Sequence, residues 1–383
     1  MMHDRAQMRL DGVANGARAL CGPEQLHIDL TNACTLHCLC CWHRSPLVPA
    51  SGVAPHWNPR HSLPYEVALR VVDEAAAMGV ERIIYSGGGD PLLHPRLFDI
   101  LRATAERGIE MMLVSTLAAA DEETVRRIVA SGVDRLLVSL WAGDEEGYLR
   151  MHPGAPPGSF AKVVSLLNVL ARLRPPGAKP QLVTMNVVSA RNAGDVEKMI
   201  RLALDAGAAE VWFQPVDVEH EGLRPLLLGR EGIEGLIATL ERCADKYRHL
   251  LKPGQENLLG FGEFIEKLRN SRAAEGIFHS DVIDTIPCYM GWYECRILAN
   301  GDVVPCCKAD RIPLGNILSH SLRDIWFSSR YEEFRRNALT LPKTDPYFGK
   351  IRCGKVCDDW WLNKQVHRRV LQRAGARERS GQS

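Results

Sequence analysis

Apolar and polar positions follow two alternating rhythms over residues 25–214. Runs of five to eight mostly apolar residues at 25–31, 82–86, 111–115, 135–140, 181–188 and 210–214 read as strands bounded by turn residues. Between them lie helical stretches. Pro64 opens a helix that runs to about Met78, with Pro at the first helical position and Gly79 as its stop. Further helices run from Pro95 to about Arg107 before Gly108, over 121–130 before Gly132, from Phe160 to Arg172 ahead of the breaker Arg174-Pro175-Pro176-Gly177, and over 195–206. Residues 42–62, rich in Pro, Ser and His, form a long irregular loop. Six βα units with short apolar strands predict an α/β protein. Its parallel sheet carries helices outside and falls short of the eight units of a closed barrel.

The rhythm changes after residue 219. Helical spacing at 226–240 and 261–268 marks linker and packing helices across 220–287. A cysteine-rich segment begins at Cys288. Within it Asn300-Gly301 is a type I′ hairpin signal, which lets Cys288 and Cys306 meet across or beside one hairpin. A helix is expected over 321–337. The chain thus divides into a core at 1–219, packing helices at 220–287, a cysteine-rich extension at 288–370 and a polar tail at 371–383.

Composition narrows the class. Of 383 residues, 46% are hydrophobic and 24% charged, the balance of a globular protein. A net charge of +1 gives no field for nucleic acid or a membrane surface. No apolar run approaches the roughly 20 residues of a membrane helix. The first residues lack the apolar core of a signal peptide, so a cytoplasmic protein is expected. The 12 cysteines cluster at the two ends: five precede Trp42, none falls between Trp42 and Arg242, and seven run from Cys243 onward. That layout points to two metal-centre regions flanking a cysteine-free middle, in a reducing compartment.

The first region is Asn32-Ala33-Cys34-Thr35-Leu36-His37-Cys38-Leu39-Cys40-Cys41-Trp42. Iron–sulfur cubanes are normally held by four cysteines. Cys34, Cys38 and Cys41, spaced Cys-x3-Cys-x2-Cys, supply three thiolates and leave one iron open to a small chelating molecule. A zinc site is the other reading, with Cys40 or His37 as fourth ligand, although adjacent Cys40 and Cys41 are awkward tetrahedral partners. The spacing resembles the signature of the radical S-adenosylmethionine (SAM) superfamily. That resemblance implies a [4Fe–4S] cluster whose open iron takes the amino and carboxylate groups of SAM. The reduced cluster then splits a SAM carbon–sulfur bond, and the resulting 5′-deoxyadenosyl radical removes hydrogen from unactivated positions. Many members carry an aromatic residue just before the third cysteine. Here Cys40 takes that place, with Trp42 one step later.

The second signal is Ser86-Gly87-Gly88-Gly89-Asp90-Pro91, between the second strand and the next helix. Glycines let backbone approach a ligand closely, and a phosphate loop is an alternative, although the Lys of a Walker-type loop is absent. The run resembles the family's Gly-Gly-Glu-Pro motif, which implies that Gly88, Gly89 and Asp90 face the SAM amino group, with Asp in place of Glu. Polar residues at strand ends are further candidates for the ribose and carboxylate: Ser115 and Thr116, Ser139, Asn186 and Gln214. Arg150 resembles the family arginine that pairs with the SAM carboxylate, a role suited to a bidentate guanidinium. For each of these the alternative is a cap, a turn or a solvated face.

The C-terminal cysteines resemble the Twitch/SPASM extension of the same superfamily. The implied architecture is a partial (β/α)6 barrel followed by a small α+β extension carrying auxiliary iron–sulfur. The central Cys-x2-Cys-x5-Cys-x3-Cys stretch of a full SPASM domain is missing. The resemblance therefore implies the smaller Twitch form, with one auxiliary [4Fe–4S] cluster on Cys288, Cys306, Cys353 and Cys357. Cys295 and Cys307 are left over and either can replace one of the four. A structural zinc ribbon is the alternative.

By the same resemblance, the expected function is oxidation of a small polar substrate such as a sugar, aminocyclitol or nucleoside. The auxiliary cluster would accept an electron, and a flavodoxin or ferredoxin would supply reducing equivalents. Peptide modification is an alternative, set back by the short stretch before the first strand, which leaves no room for a leader-recognition module. Radical epimerisation is another, and would need a hydrogen-atom donor such as the Cys243 thiol. An iron–sulfur electron carrier or zinc-bound interaction module is poorly served by a barrel with an open-iron motif.

Overall fold

The computed structural model describes residues 4–380 except 176, 281 and 352, with side chains in the last helix described as far as Arg373. The N-terminal half forms α1 (Arg5–Asn15), β1 (Gln25–Asp29), α2 (Tyr65–Met78), β2 (Arg82–Ser86), α3 (Leu97–Glu106), β3 (Glu110–Ser115), α4 (Glu122–Ala130), β4 (Arg135–Ser139) and α5 (Glu145–Met151). Then come α6 (Ser159–Leu173), β5 (Gln181–Val188), α7 (Val196–Asp205), β6 (Glu210–Pro215), α8 (Arg230–Tyr247), α9 (Gly262–Leu268), α10 (Met290–Tyr293), β7 (Glu294–Ile297), β8 (Asp302–Val304) and β9 (Gly315–Asn316). The chain closes with α11 (Leu322–Trp326), α12 (Ser329–Thr340) and α13 (Trp360–Ser380).

All six predicted strands are present, and their alternation with helices gives a mixed α/β fold on a parallel sheet. Compactness divides the chain along lines other than chain order. One unit takes residues 1–28, 64–83 and 279–383; the second takes 29–63 and 84–278.

In the second unit the strands run in the order β6-β5-β4-β3-β2, an open sheet with β6 at its edge. β3 to β6 pair in parallel, with Ser115 opposite Val138 and Ser139 opposite Met185. Ile84, Met112, Leu137 and Val183, one from each of β2 to β5, form a buried row on one face. Each such side chain contributes about 1.5–3 kcal/mol. Polar residues at the C-terminal strand ends are thereby fixed against a rigid apolar floor.

In the first unit β1 pairs in parallel with β7, and β7, β8 and β9 form an antiparallel ribbon. Val13, Tyr289, Met290, Trp292, Tyr293 and Val366 build a core beside it. Arg335 is fully buried there. It donates to the carbonyls of Gly291 (2.7 Å) and Trp326 (2.8 Å), and the Trp326 and Tyr331 rings lie 4.6 and 4.7 Å from its guanidinium.

Several local expectations change. Pro64 sits at the N-cap of α2 and not at its first helical position, because its ψ of 142° is still extended. The hairpin between β7 and β8 is not type I′: of its turn residues only Gly301 has positive φ (88°), and Leu298 donates to Asp302 O while Gly301 donates to Leu298 O. That is a type I turn followed by a glycine bulge. The single helix expected over 321–337 is two helices, since Ser328 is extended and caps α12 through Tyr331 N. The helices α1 and α5, capped by Asp4 and Asp144, were not expected. Most of the expected polar tail is the end of α13; residues 381–383 lie outside the described residues, as does Pro176 of the expected breaker. No helix among the described residues is long and apolar enough to cross a membrane.

Candidate functional site

The first cysteine loop leaves the end of β1 and is pinned within the second unit. Asn32 N donates to His61 O at 2.9 Å and Leu63 N to Leu30 O at 2.9 Å, so the long loop folds back along the lead-in. Leu39 N donates to Met151 O at 2.8 Å, Ser45 Oγ to Leu39 O at 2.6 Å and Arg44 Nε to Leu36 O at 3.1 Å. Cys41 N turns back onto Cys38 O at 3.1 Å. Burial pushes up the Cys34, Cys38 and Cys41 thiols, and Cys38 is raised further by the other two. Three thiols, Cys38 buried and Cys34 and Cys41 half-buried, close enough to repel one another, fit a polynuclear cation, whose charge would reverse that repulsion and hold all three as thiolates. Cys40 turns away into an apolar cluster with Val48, Met151, Val216 and Val218, where burial pushes its thiol up to about 12.

The glycine run lies directly on this lead-in. Asp90 N donates to Ala33 O at 2.8 Å, and Trp57 Nε1 to Gly88 O at 3.2 Å. A Cβ at Gly89 would sit 2.1 Å from Ala33 O and 2.4 Å from Asn32 C, both backbone atoms, so no side chain fits. Asp90 is buried. Its carboxylate accepts from Ser115 Oγ at 3.0 and 3.1 Å, Thr116 N at 3.0 Å, Thr116 Oγ1 at 2.8 Å and Leu92 N at 3.1 Å. A carboxylate has about four lone-pair sites, so these donors use its capacity. The structure therefore brings Gly88, Gly89, Asp90 and Thr116 together with the cysteine loop.

The remaining strand-end candidates differ in their surroundings. Ser139 ends β4. The Asn186 carbonyl accepts from Trp141 N at 3.0 Å, while its amide nitrogen is buried without a partner among the described residues. Trp141 Nε1, Tyr148 Oη and Thr184 Oγ1 are buried and unpartnered in the same way. Tyr148 lies within electrostatic reach of Cys38, Asp90 and Cys34. Orphaned buried polar atoms of this kind call for a ligand or water. Arg150 is committed elsewhere: it donates to Asp195 Oδ2 at 2.6 Å and Arg191 O at 2.8 Å. The Gln214 side-chain carbonyl accepts from the buried Lys267 at 2.8 Å.

The second cysteine set lies in the first unit. Cys288 N donates to Ala338 O at 2.9 Å and Cys357 N to His279 Nδ1 at 3.1 Å, which anchors both ends of the set. Burial raises all four thiols of Cys288, Cys306, Cys353 and Cys357. Cys306 is raised also by Asp359, Cys353, Glu294 and Cys288; Cys353, pushed up to about 12, by Cys288; and Cys357 by Asp359, Cys353 and Cys288. A set of thiols that repel one another in this way suits a multi-iron centre. The leftover cysteines have different surroundings. Cys295 is fully buried on β7 with the Tyr331 hydroxyl beside it, its thiol pushed up to about 12 by burial. Cys307 faces His27 and Glu294. Cys243 is fully buried on α8.

Comparison with known proteins matches both cysteine-bearing segments to family models. Residues 28–203 match the Radical SAM superfamily, and residues 288–357 match SPASM, an iron-sulfur cluster-binding domain; the two take in more than half of the chain. The chain belongs to the radical SAM superfamily. It is 27% identical to the AdoMet-dependent heme synthase of Methanosarcina barkeri over 88% of either chain. It is 26% identical to the PqqA peptide cyclase of Streptomyces rochei, over 88% of this chain and 86% of that one. Among solved structures, Streptococcus suis SuiB bound to precursor peptide SuiA superimposes with a TM-score of 0.58 at 14% identity, covering 86% of this chain and 70% of SuiB. At that identity the likeness speaks for the fold.

As a radical SAM enzyme with a SPASM domain, the protein uses SAM and a [4Fe–4S] cluster, with auxiliary iron–sulfur in the extension. Sequence reasoning missed Trp141 and Tyr148, whose polar atoms are left over beside the strand ends. The acidic first turn after Asp144 is the one signal that would have placed Tyr148 on a helix.

Proposed function

We propose that this radical SAM enzyme is an oxidoreductase with one auxiliary [4Fe–4S] cluster bound by Cys288, Cys306, Cys353 and Cys357. The observation that supports it most is this second set of half-buried thiols, of which Cys306, Cys353 and Cys357 are each raised by others of the set, within the SPASM-matched segment. When bound, SAM and its cluster supply a hydrogen-abstracting radical, and an auxiliary cluster supplies a one-electron acceptor.

The chain's own residues bind and orient. Cys34, Cys38 and Cys41 hold three irons and leave the fourth to a chelating ligand. Gly88 and Gly89 bring bare backbone to the SAM amino group. Asp90, gripped by Ser115 and Thr116, fixes that backbone. Ser139 and Asn186, with the unpartnered Tyr148 hydroxyl, offer hydrogen bonds to the ribose and carboxylate. Arg150 and Gln214, braced by Asp195 and Lys267, shape the same strand ends.

The substrate reading is a small polar molecule, such as a sugar, aminocyclitol or nucleoside, oxidised by two electrons with reducing equivalents for SAM cleavage from a flavodoxin or ferredoxin. Likeness to a heme synthase, a protein named for a non-peptide product, supports it. A second reading, peptide modification, is favoured by the comparable likeness to PqqA peptide cyclase.

The test is iron and sulfide content of anaerobically reconstituted protein with Cys34, Cys38 and Cys41 all changed to Ala. About four irons should remain, with a cubane signal on reduction. Iron falling to zero, or zinc in its place, overturns the oxidoreductase reading. Small-molecule and peptide fractions, added separately to the intact enzyme, decide between substrates by which one raises 5′-deoxyadenosine release.

A further inference from the structure

His27 on β1 and Glu294 on β7 lie on adjacent parallel strands, where Gln25 stands opposite Glu294 and His27 opposite Arg296. Cys307 follows β8 and turns its thiol toward both. Cys307 Sγ lies 3.5 Å from Glu294 Oε1, and 3.7 and 4.0 Å from the two ring nitrogens of His27. His27 Nε2 lies 3.7 Å from Glu294 Oε1. Around a tetrahedral zinc ion, the bond lengths to sulfur, nitrogen and oxygen put neighbouring donor atoms roughly 3.3–3.6 Å apart. The three atoms here already stand close to that triangle.

Two further features fit a cation. The second oxygen of Glu294 accepts from Gln25 Nε2 at 2.7 Å, which orients the carboxylate so that Oε1 faces the other two donors. Buried Asp359 hydrogen-bonds Glu294, so two carboxyl groups and a thiol crowd one enclosed place.

We propose that His27, Glu294 and Cys307 form a binding site for one divalent transition-metal ion of the zinc type, separate from the thiols of Cys288, Cys306, Cys353 and Cys357. An imidazole, a carboxylate and a thiolate suit zinc, and three protein donors leave a fourth position for water or an incoming ligand. The ion ties β1, β7 and the segment after β8 to one another.

The test uses the full chain with its iron–sulfur clusters assembled, equilibrated anaerobically with zinc chloride and desalted. About one zinc per chain should be retained, and zinc X-ray absorption should find a shell of one sulfur with nitrogen and oxygen. Cys307→Ser and His27→Ala should each lower the retained zinc by about tenfold or more while iron and sulfide stay at the wild-type level. Absence of zinc from the wild type overturns the proposal. So does an all-sulfur shell, which puts the zinc on the cluster cysteines. Loss of iron in Cys307→Ser also overturns it, because Cys307 would then serve the auxiliary cluster. The absorption measurement needs no variant, so a misfolded substitution leaves the outcome decided.

Discussion

Thr116 places its backbone N–H and its hydroxyl on the same carboxylate oxygen of Asp90, at 3.0 and 2.8 Å. With Ser115 bridging both oxygens, Asp90 locks the end of β3 to the glycine run, which itself rests on the cysteine lead-in. Asp90→Asn replaces an acceptor by an NH2 facing donors, so the variant should lose about 1–3 kcal/mol of stability. Its SAM affinity should fall with it. Denaturant unfolding and equilibrium SAM binding check this. Unchanged stability with lost SAM binding would instead assign the carboxylate to the cofactor itself.

Gly89→Ala should be more severe than its single methyl suggests. The Cβ would meet backbone atoms of Ala33 and Asn32, which no rotamer change can move. The glycine run must then lift off the cysteine loop. Iron incorporation and SAM binding should both fall by an order of magnitude or more, about the effect of displacing a preorganised site by an ångström. Gly194→Ala, where a Cβ meets nothing within 4 Å, serves as the control and should behave as wild type.

The parts of this molecule written locally were legible in the sequence. The six strands show themselves because each is a short apolar run between breakers, and the cysteine and glycine motifs because their spacing resembles that of a known family. Pairings between distant segments were not. Nothing local says that β1 lies beside β7, or that Cys307 reaches His27 across 280 positions. The helices α1 and α5 stand outside the regular alternation of strands and helices; their capping aspartates mark them locally, and in α5 the acidic first turn does too. Arg150 stands out in sequence by its type and position, while its contact with Asp195, set by the start of α7 45 residues away, has no local signal.

The placement of the leftover cysteines predicts which are dispensable for iron. Cys40 packs among apolar side chains, and Cys295 faces the Tyr331 side of β7. Cys40→Ala and Cys295→Ala should each keep the full iron and sulfide content of the reconstituted protein. Each should cost about 1 kcal/mol through the small cavity left behind. A drop in iron in either variant would place that thiol on a cluster.

His152 gives the protein a stability that depends on pH. Its Nδ1–H donates to Tyr148 O at 2.9 Å, and its ring packs against Tyr148 and Trp141. Burial holds the imidazole down at about 4, below its ordinary 6.5, so the folded chain resists the proton that the unfolded chain accepts. The resulting stability is complete above about pH 6.5 and is lost as pH falls toward 4, in total on the order of 3 kcal/mol. His152→Phe keeps the aromatic packing and removes the titration. Urea midpoints measured anaerobically at pH 7.5 and 5.0 should drop more in the wild type than in the variant. Equal drops in both would mean that the imidazole is already protonated in the fold, or reaches water in it.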